Sequence, residues 1–176
     1  MLLRSVLCLL LLSLALLMSS CGISQDSAPD LIVYSADGKH AAFLRNGKVI
    51  PPKGAPPQVK RAIAAANKIA GKPYRRGGGH GKHEDSAYDC SGSVSYVLRE
   101  AGLMTKTRHS ALFQDYGRRG AGEWITIYTK NGHVFMTICG VRYDTGGGSG
   151  RRERGPNWHT NSRSGRGFVM RHPYCF

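Results

Sequence analysis

Apolar residues recur at intervals of three and four in the segment PQVKRAIAAANKIAG, residues 57 to 71. This spacing predicts an amphipathic helix with one buried face. Pro57 suits the first turn of a helix, and Gly71 followed by Pro73 favours its end. The positions on the buried face are Val59, Ala62, Ile63, Ala66, Ile69 and Ala70.

A second helix is predicted within YDCSGSVSYVLREAGL, residues 88 to 103, where Gly102 favours the end. After a short helical piece at 111–116, the period of apolar residues falls to two, which is typical of strands. Helices followed by an antiparallel meander indicate an α+β domain. The four predicted strands are EWITIYT (123–129), HVFMTIC (133–139), VRYDT (141–145) and GFVMRH (167–172).

The N-terminus has a different pattern. An apolar run from Val6 to Met18 follows Arg4 and precedes small residues and Cys21, which is typical of an export signal. The stretch LLMSSCG resembles a bacterial lipoprotein signal, which implies lipidation of Cys21. A plain secretory signal and an uncleaved N-terminal anchor remain alternatives. The predicted segments are a signal peptide at 1–20, a tether at 21–57 with a possible edge hairpin, and a catalytic domain at 58–176.

The chain is strongly basic, with a formal net charge of +14 over 176 residues. Such a charge attracts polyanions. Outside the cytoplasm these are anionic envelope polymers, so we expect the protein to bind such polymers and not nucleic acid. The lipoprotein signal implies that the protein is lipid-anchored in the bacterial cell envelope.

Cysteine usage leaves an odd number in the mature chain. Cys8 would leave with the signal and Cys21 would carry lipid, which leaves Cys90, Cys139 and Cys175. Because disulfides persist outside the cytoplasm, we predict a Cys139–Cys175 bridge and a free thiol at Cys90. The alternative is three reduced thiols.

Cys90 lies at the N-terminus of a predicted helix, a position that favours a nucleophilic cysteine. Asp89 is a good N-cap, which puts Cys90 at the first helical position, beside unpaired backbone N–H groups. The partial positive charge there favours thiolate over thiol. Gly92 is expected to keep the first turn open to a substrate carbonyl.

A nucleophile of this kind needs a base and a group that orients the base. His133 starts a predicted strand after the Asn131–Gly132 turn and is the candidate base. Asp144 on the following strand is the candidate acceptor for its other ring N–H. His159 and Asn161, in a loop that the pattern does not place, remain alternatives for this third position.

Three segments of the chain, YDCSGSVSYVL, a downstream GHV and the preceding IAGKPYRRGGG, resemble the NlpC-type cell-wall peptidases. The resemblance extends over about residues 58–176. The resemblance implies a papain-like α+β fold, with N-terminal helices packed on a C-terminal antiparallel sheet. It also implies hydrolysis of peptidoglycan stem peptides between D-glutamate and a diamino acid, with no cofactor, by a protein we expect to be monomeric.

Carried onto this chain, the resemblance implies that Cys90 is the nucleophile, His133 the base and then the acid, and Asp144 the orienting residue. Tyr74 matches a tyrosine that lines the substrate site and helps to bind the oxyanion. Asp89 and Ser91 match positions near the amine end of the substrate.

Three alternatives remain open. GGGHGKHEDSAYDC contains several metal-ligand types, but its spacing matches no strong zinc pattern, so no metal is expected. The chain could instead be a non-catalytic, basic wall-binding lipoprotein. It could also be an amidase or acyltransferase on the same scaffold, although related acyltransferases place histidine before cysteine. The metal-ligand candidates are His80, His83, Glu84, Asp85, Asp89 and Cys90.

Overall fold

A computed structural model describes residues 31–33, 40–44, 46–146 and 155–176. Its fold is α+β, with few helices and a six-stranded antiparallel sheet, which confirms the predicted class. The predicted signal peptide and the predicted lipidation site, Cys21, lie outside the described residues.

The two predicted helices are confirmed. Helix α1 spans Pro57–Ile69 and α2 spans Cys90–Glu100, and a 3-10 helix at Ser110–Asp115 replaces the predicted short helical piece. Gly71 and Gly102 follow the two helix ends with φ of 83° and 74°, a conformation that glycine adopts without steric cost.

The large sheet has the strand order β4-β9-β5-β6-β7-β8. The four strands predicted from alternation are present, while β4 and β8 carry too few residues for a period of two to be recognised. β8 pairs with the edge of β7, with Trp158 opposite Tyr143. The strands are β4 (Arg118–Arg119), β5 (Ile125–Lys130), β6 (His133–Ile138), β7 (Val141–Asp144), β8 (Asn157–His159) and β9 (Val169–His172).

Three short strands lie within the segment assigned to the tether. β1 (Leu31–Val33), β2 (Ala42–Leu44) and β3 (Val49–Ile50) form a separate antiparallel sheet. Val49 is buried, and the backbone N–H of Ala41 donates to the carbonyl of Cys139 at 3.0 Å. These contacts attach Ala41 and Val49 to the main domain.

Asn67 of α1 joins this small sheet to the large one. Its amide accepts from the backbone N–H of Val49 at 3.0 Å and donates to the Val49 carbonyl at 2.8 Å. The same amide oxygen accepts from the indole N–H of Trp158 at 2.9 Å. One side chain therefore satisfies polar groups from β3 and β8 at the edge of the core.

The core lies between the helices and one face of the large sheet. Helix α2 packs against β6, whose alternate residues Val134, Met136 and Ile138 are buried on that side. His133 is the first residue of this strand. The packing thus holds the start of β6 in place relative to α2.

The predicted Cys139–Cys175 disulfide is wrong. Both residues carry free thiols, Cys139 buried in the turn after β6 and Cys175 exposed near the C-terminus. Burial raises the pKa of Cys139 to about 12, which keeps that sulfur in the unreactive thiol form. Separately, none of the described helices is long and apolar enough to cross a membrane.

Candidate active site

Cys90 is the first residue of α2, as the sequence predicted. Asp89 caps the helix in an extended conformation, and its Oδ1 accepts from the backbone N–H of Gly92 at 2.7 Å. Since the first N–H groups of a helix have no partner within it, the sulfur lies in a region of partial positive charge. Cys90 is 7% exposed, so only a small part of the residue is accessible from solvent.

The glycine-rich loop before α2 packs directly on its first turn. A Cβ on Gly92 would lie 2.0 Å from the carbonyl oxygen of Gly78, which also accepts from the N–H of Asp89 at 3.1 Å. Gly92 was expected to leave room for substrate, but in the structure it makes room for Gly78. Backbone contacts between loop and helix therefore fix the position of Cys90.

Both oxygens of the Asp89 carboxylate accept hydrogen bonds from nearby residues. Oδ2 accepts from the backbone N–H of Gly77 at 2.9 Å, and Oδ1 accepts from Ser91 at 3.0 Å in addition to Gly92. Nε2 of His80 lies 3.1 Å from both Asp89 Oδ1 and the Ser91 hydroxyl. Burial raises the pKa of Asp89, but these hydrogen bonds outweigh it and hold the pKa below its usual range. His80 thus contacts both residues that the resemblance assigns to the amine end of the substrate.

His133 and Asp144 lie on the same face of the sheet. Met136 is opposite Tyr143, so in the antiparallel register Asp144 is the diagonal neighbour of His133. Nε2 of His133 lies 3.0 Å from Oδ1 of Asp144, whose side chain has no exposed surface. The tight turn before β6 and the pairing of β6 with β7 bring the two side chains together.

The protonation states of His133 and Asp144 depend on burial and on the groups that contact them. Burial lowers the pKa of His133, but hydrogen bonds to Asp144 and Cys90 outweigh it and raise the pKa to about 9. Burial raises the pKa of Asp144, but the hydrogen bond and charge of His133 and the hydrogen bond of Arg163 bring it below its usual range. Asp144 is therefore a carboxylate that accepts the Nε2–H, which leaves Nδ1 as the ring nitrogen for the sulfur.

Sequence reasoning missed Arg163. Its Nη1 donates to Oδ2 of Asp144 at 2.7 Å and lies 3.3 Å from Nε2 of His133. The residue is in the loop between β8 and β9, 19 positions beyond Asp144 in a chain rich in arginine. No motif or period singles it out.

The two alternatives for the third position have other partners. Nε2 of His159 lies 3.3 Å from the backbone carbonyl of Asp144. Asn161 accepts through Oδ1 from Arg142 at 3.0 Å. The carboxylate of Asp144 is 3.0 Å from Nε2 of His133, which supports Asp144 as the orienting residue.

Tyr74 borders the site from the loop after α1. It pairs with Tyr88 in an isolated parallel bridge and is 43% exposed. Burial raises the pKa of Tyr74, and the nearby charges of Cys90 and Asp89 raise it further. Its phenol is therefore a neutral hydrogen-bond donor on the same side of the protein as the sulfur.

Most of the charged groups considered as zinc ligands have protein partners. Glu84 pairs with Lys68, Asp85 with Arg75 at 2.7 Å, and His83 with Glu100 at 2.7 Å. Within the described parts of the chain, no three such groups are close enough to hold a metal ion.

Comparisons with known proteins do not assign the chain to a family. No protein-family model and no curated protein matches the chain. Among solved structures, the chain is similar to the P60 domain of antigen MAP1204 from M. avium subspecies paratuberculosis, at 20% identity and a TM-score of 0.49. The match covers 65% of this chain and 93% of that domain.

Proposed function

We propose that the protein is a papain-like cysteine peptidase of the NlpC type. It hydrolyses peptidoglycan stem peptides, between D-glutamate and the diamino acid, through an acyl-enzyme on Cys90. The observation that carries this proposal is that Cys90 is the first residue of α2 and interacts with His133, whose Nε2 lies 3.0 Å from Oδ1 of Asp144. Such an arrangement activates a thiol for attack on an amide.

The chemistry proceeds in two halves. The Cys90 thiolate attacks the amide carbonyl, and the backbone N–H of Cys90 together with Tyr74 stabilises the oxyanion. His133 then donates its Nδ1 proton to the leaving amine while Asp144 holds Nε2–H. In the second half His133 takes a proton from water, the resulting hydroxide attacks the thioester, and the sulfur of Cys90 leaves as thiolate.

The decisive test compares purified muropeptides after incubation with the full chain and with Cys90→Ala, by mass spectrometry of the products. We expect the parent chain to cleave stem peptides and Cys90→Ala to be inactive with an unchanged circular dichroism spectrum. Cys175→Ala, which removes an exposed thiol, is the matched control and keeps full activity. Cleavage by Cys90→Ala at the parent rate would contradict the mechanism.

We also propose that the enzyme acts in the bacterial envelope, anchored through lipid on Cys21, where its basic surface favours anionic wall polymers. Mass spectrometry of protein from the native host is the test. A diacylated N-terminal Cys21 is expected, and an intact Met1 would exclude processing.

A further inference from the structure

We propose that Arg163 is a positioning residue of this site, which fixes the Asp144 carboxylate in the orientation that His133 requires and weakens its hold on the imidazole proton. The inference rests on the proposed function for its catalytic meaning. The contacts that carry it come from a loop to which neither the motif nor the resemblance assigns a role.

The two oxygens of Asp144 have separate partners. Oδ1 faces the ring of His133 at 3.0 Å and accepts from the backbone N–H of Gly146 at 3.0 Å. Oδ2 accepts from Arg163 at 2.7 Å. With donors at both oxygens, the carboxylate cannot rotate about its terminal bond without losing a charge-assisted hydrogen bond.

Two aromatic rings hold the guanidinium in place. It lies 5.4 Å from the ring centroid of Phe135 and 5.7 Å from that of Phe168, within the range of cation–π attraction. The same rings flank His133, at centroid distances of 6.3 Å and 6.2 Å. Arg163 and His133 therefore both pack against Phe135 and Phe168, and this packing sets the distance between them.

The charge of Arg163 acts on the proton of His133. Nη1 and Nε2 are 3.3 Å apart, and both donate to the same carboxylate, so there is no attraction between them. A neighbouring cation disfavours protonation of the ring. It also partly neutralises the negative charge of Asp144, which weakens the attraction between that carboxylate and the protonated ring. A general acid works best when its pKa is not far above the working pH, and Arg163 limits how far Asp144 can raise it.

The other charged groups around the ring come from three elements. Cys90 faces it from α2 and Asp144 from β7, and both raise the pKa of His133. Lys130 of β5 is paired with His133 across the strands, and its ammonium lies over Phe168 at 4.5 Å. Unlike Lys130, Arg163 also contacts the Asp144 carboxylate. We therefore expect removal of Arg163 to change the pKa of His133 more than removal of Lys130 would.

The test uses the full chain with Arg163→Gln, Arg163→Lys and the matched control Arg166→Gln, an exposed arginine in the same loop. NMR titration of the histidine ring protons reports the pKa of His133, with its signal assigned by comparison with His133→Gln. We expect Arg163→Gln to raise the midpoint by about one pH unit. Arg163→Lys retains the charge and should stay closer to the parent, and Arg166→Gln should equal it.

Stem-peptide hydrolysis gives the second readout. In Arg163→Gln we expect kcat to fall about tenfold with KM nearly unchanged, and the alkaline limb of the rate profile to move upward with the titration midpoint. A midpoint and kcat in Arg163→Gln equal to those of Arg166→Gln would overturn the positioning role. The titration needs no substrate, so it tests Arg163 independently of the reaction. If the midpoint shifts but the parent chain leaves stem peptides intact, the proposed function is rejected and the effect of Arg163 on His133 stands.

Discussion

The two sides of the site are built in different ways. On the helix side, Cys90 is positioned by main-chain contacts, with Gly78 against Gly92 and no room for another atom. On the sheet side, His133 is positioned by charged side chains, Asp144 and Arg163, that bond to one another. The first arrangement tolerates no added volume, while the second depends on charge and therefore on pH.

The largest expected effect is on the helix side. Gly92→Ala places a methyl group 2.0 Å from the Gly78 carbonyl, and neither backbone can yield without moving α2 or the loop. We expect a loss of about 3 kcal/mol in the free energy of unfolding. Urea unfolding followed by circular dichroism measures it.

The matched control is Gly81→Ala in the same loop, where a Cβ meets nothing within 4 Å. That variant should stay within about 0.5 kcal/mol of the parent. Equal stabilities of the two variants would show that the close contact does not fix α2.

On the sheet side, Asp144→Asn is expected to preserve the fold and lower kcat/KM by roughly 100-fold, because the neutral amide no longer stabilises the imidazolium. The NMR midpoint of His133 should fall from about 9 toward its usual value. Asp115→Asn, at an exposed position, is the control and should match the parent. An unchanged midpoint in Asp144→Asn would exclude Asp144 as the source of the raised pKa.

The sheet side also predicts a pH dependence of stability that arises from His133. Its pKa is raised on folding from about 6.5 to about 9, so the protonated ring stabilises the folded state fully below about pH 6.5. This contribution is lost as the pH rises through 9. The difference in unfolding free energy between the parent and His133→Gln should therefore shrink across that interval.

Urea midpoints of both chains at pH values on either side of the interval measure this difference. The same comparison in an Asp144→Asn background should show a weaker pH dependence, since the main partner of the ring is lost. A difference that stays constant with pH would mean that the ring is not stabilised in its protonated form.

The sequence by itself determined the helices, four of the strands and the position of Cys90 at a helix start. Each depends on local features: periods of 3.6 and 2, Asp89 as a cap, and glycine at the helix ends. His133 is a candidate because it starts a predicted strand after a tight turn, and Asp144 is a candidate because it lies on the following strand.

Only the tertiary structure decided which distant groups meet. The contact between Gly78 and Gly92, the bridge from Asn67 to Trp158 and the bond from Arg163 to Asp144 join residues 14, 91 and 19 positions apart. The free state of Cys139 and Cys175 was decided in the same way. Such contacts leave no period or motif in the chain, because they depend on how whole elements pack rather than on the preferences of neighbouring residues.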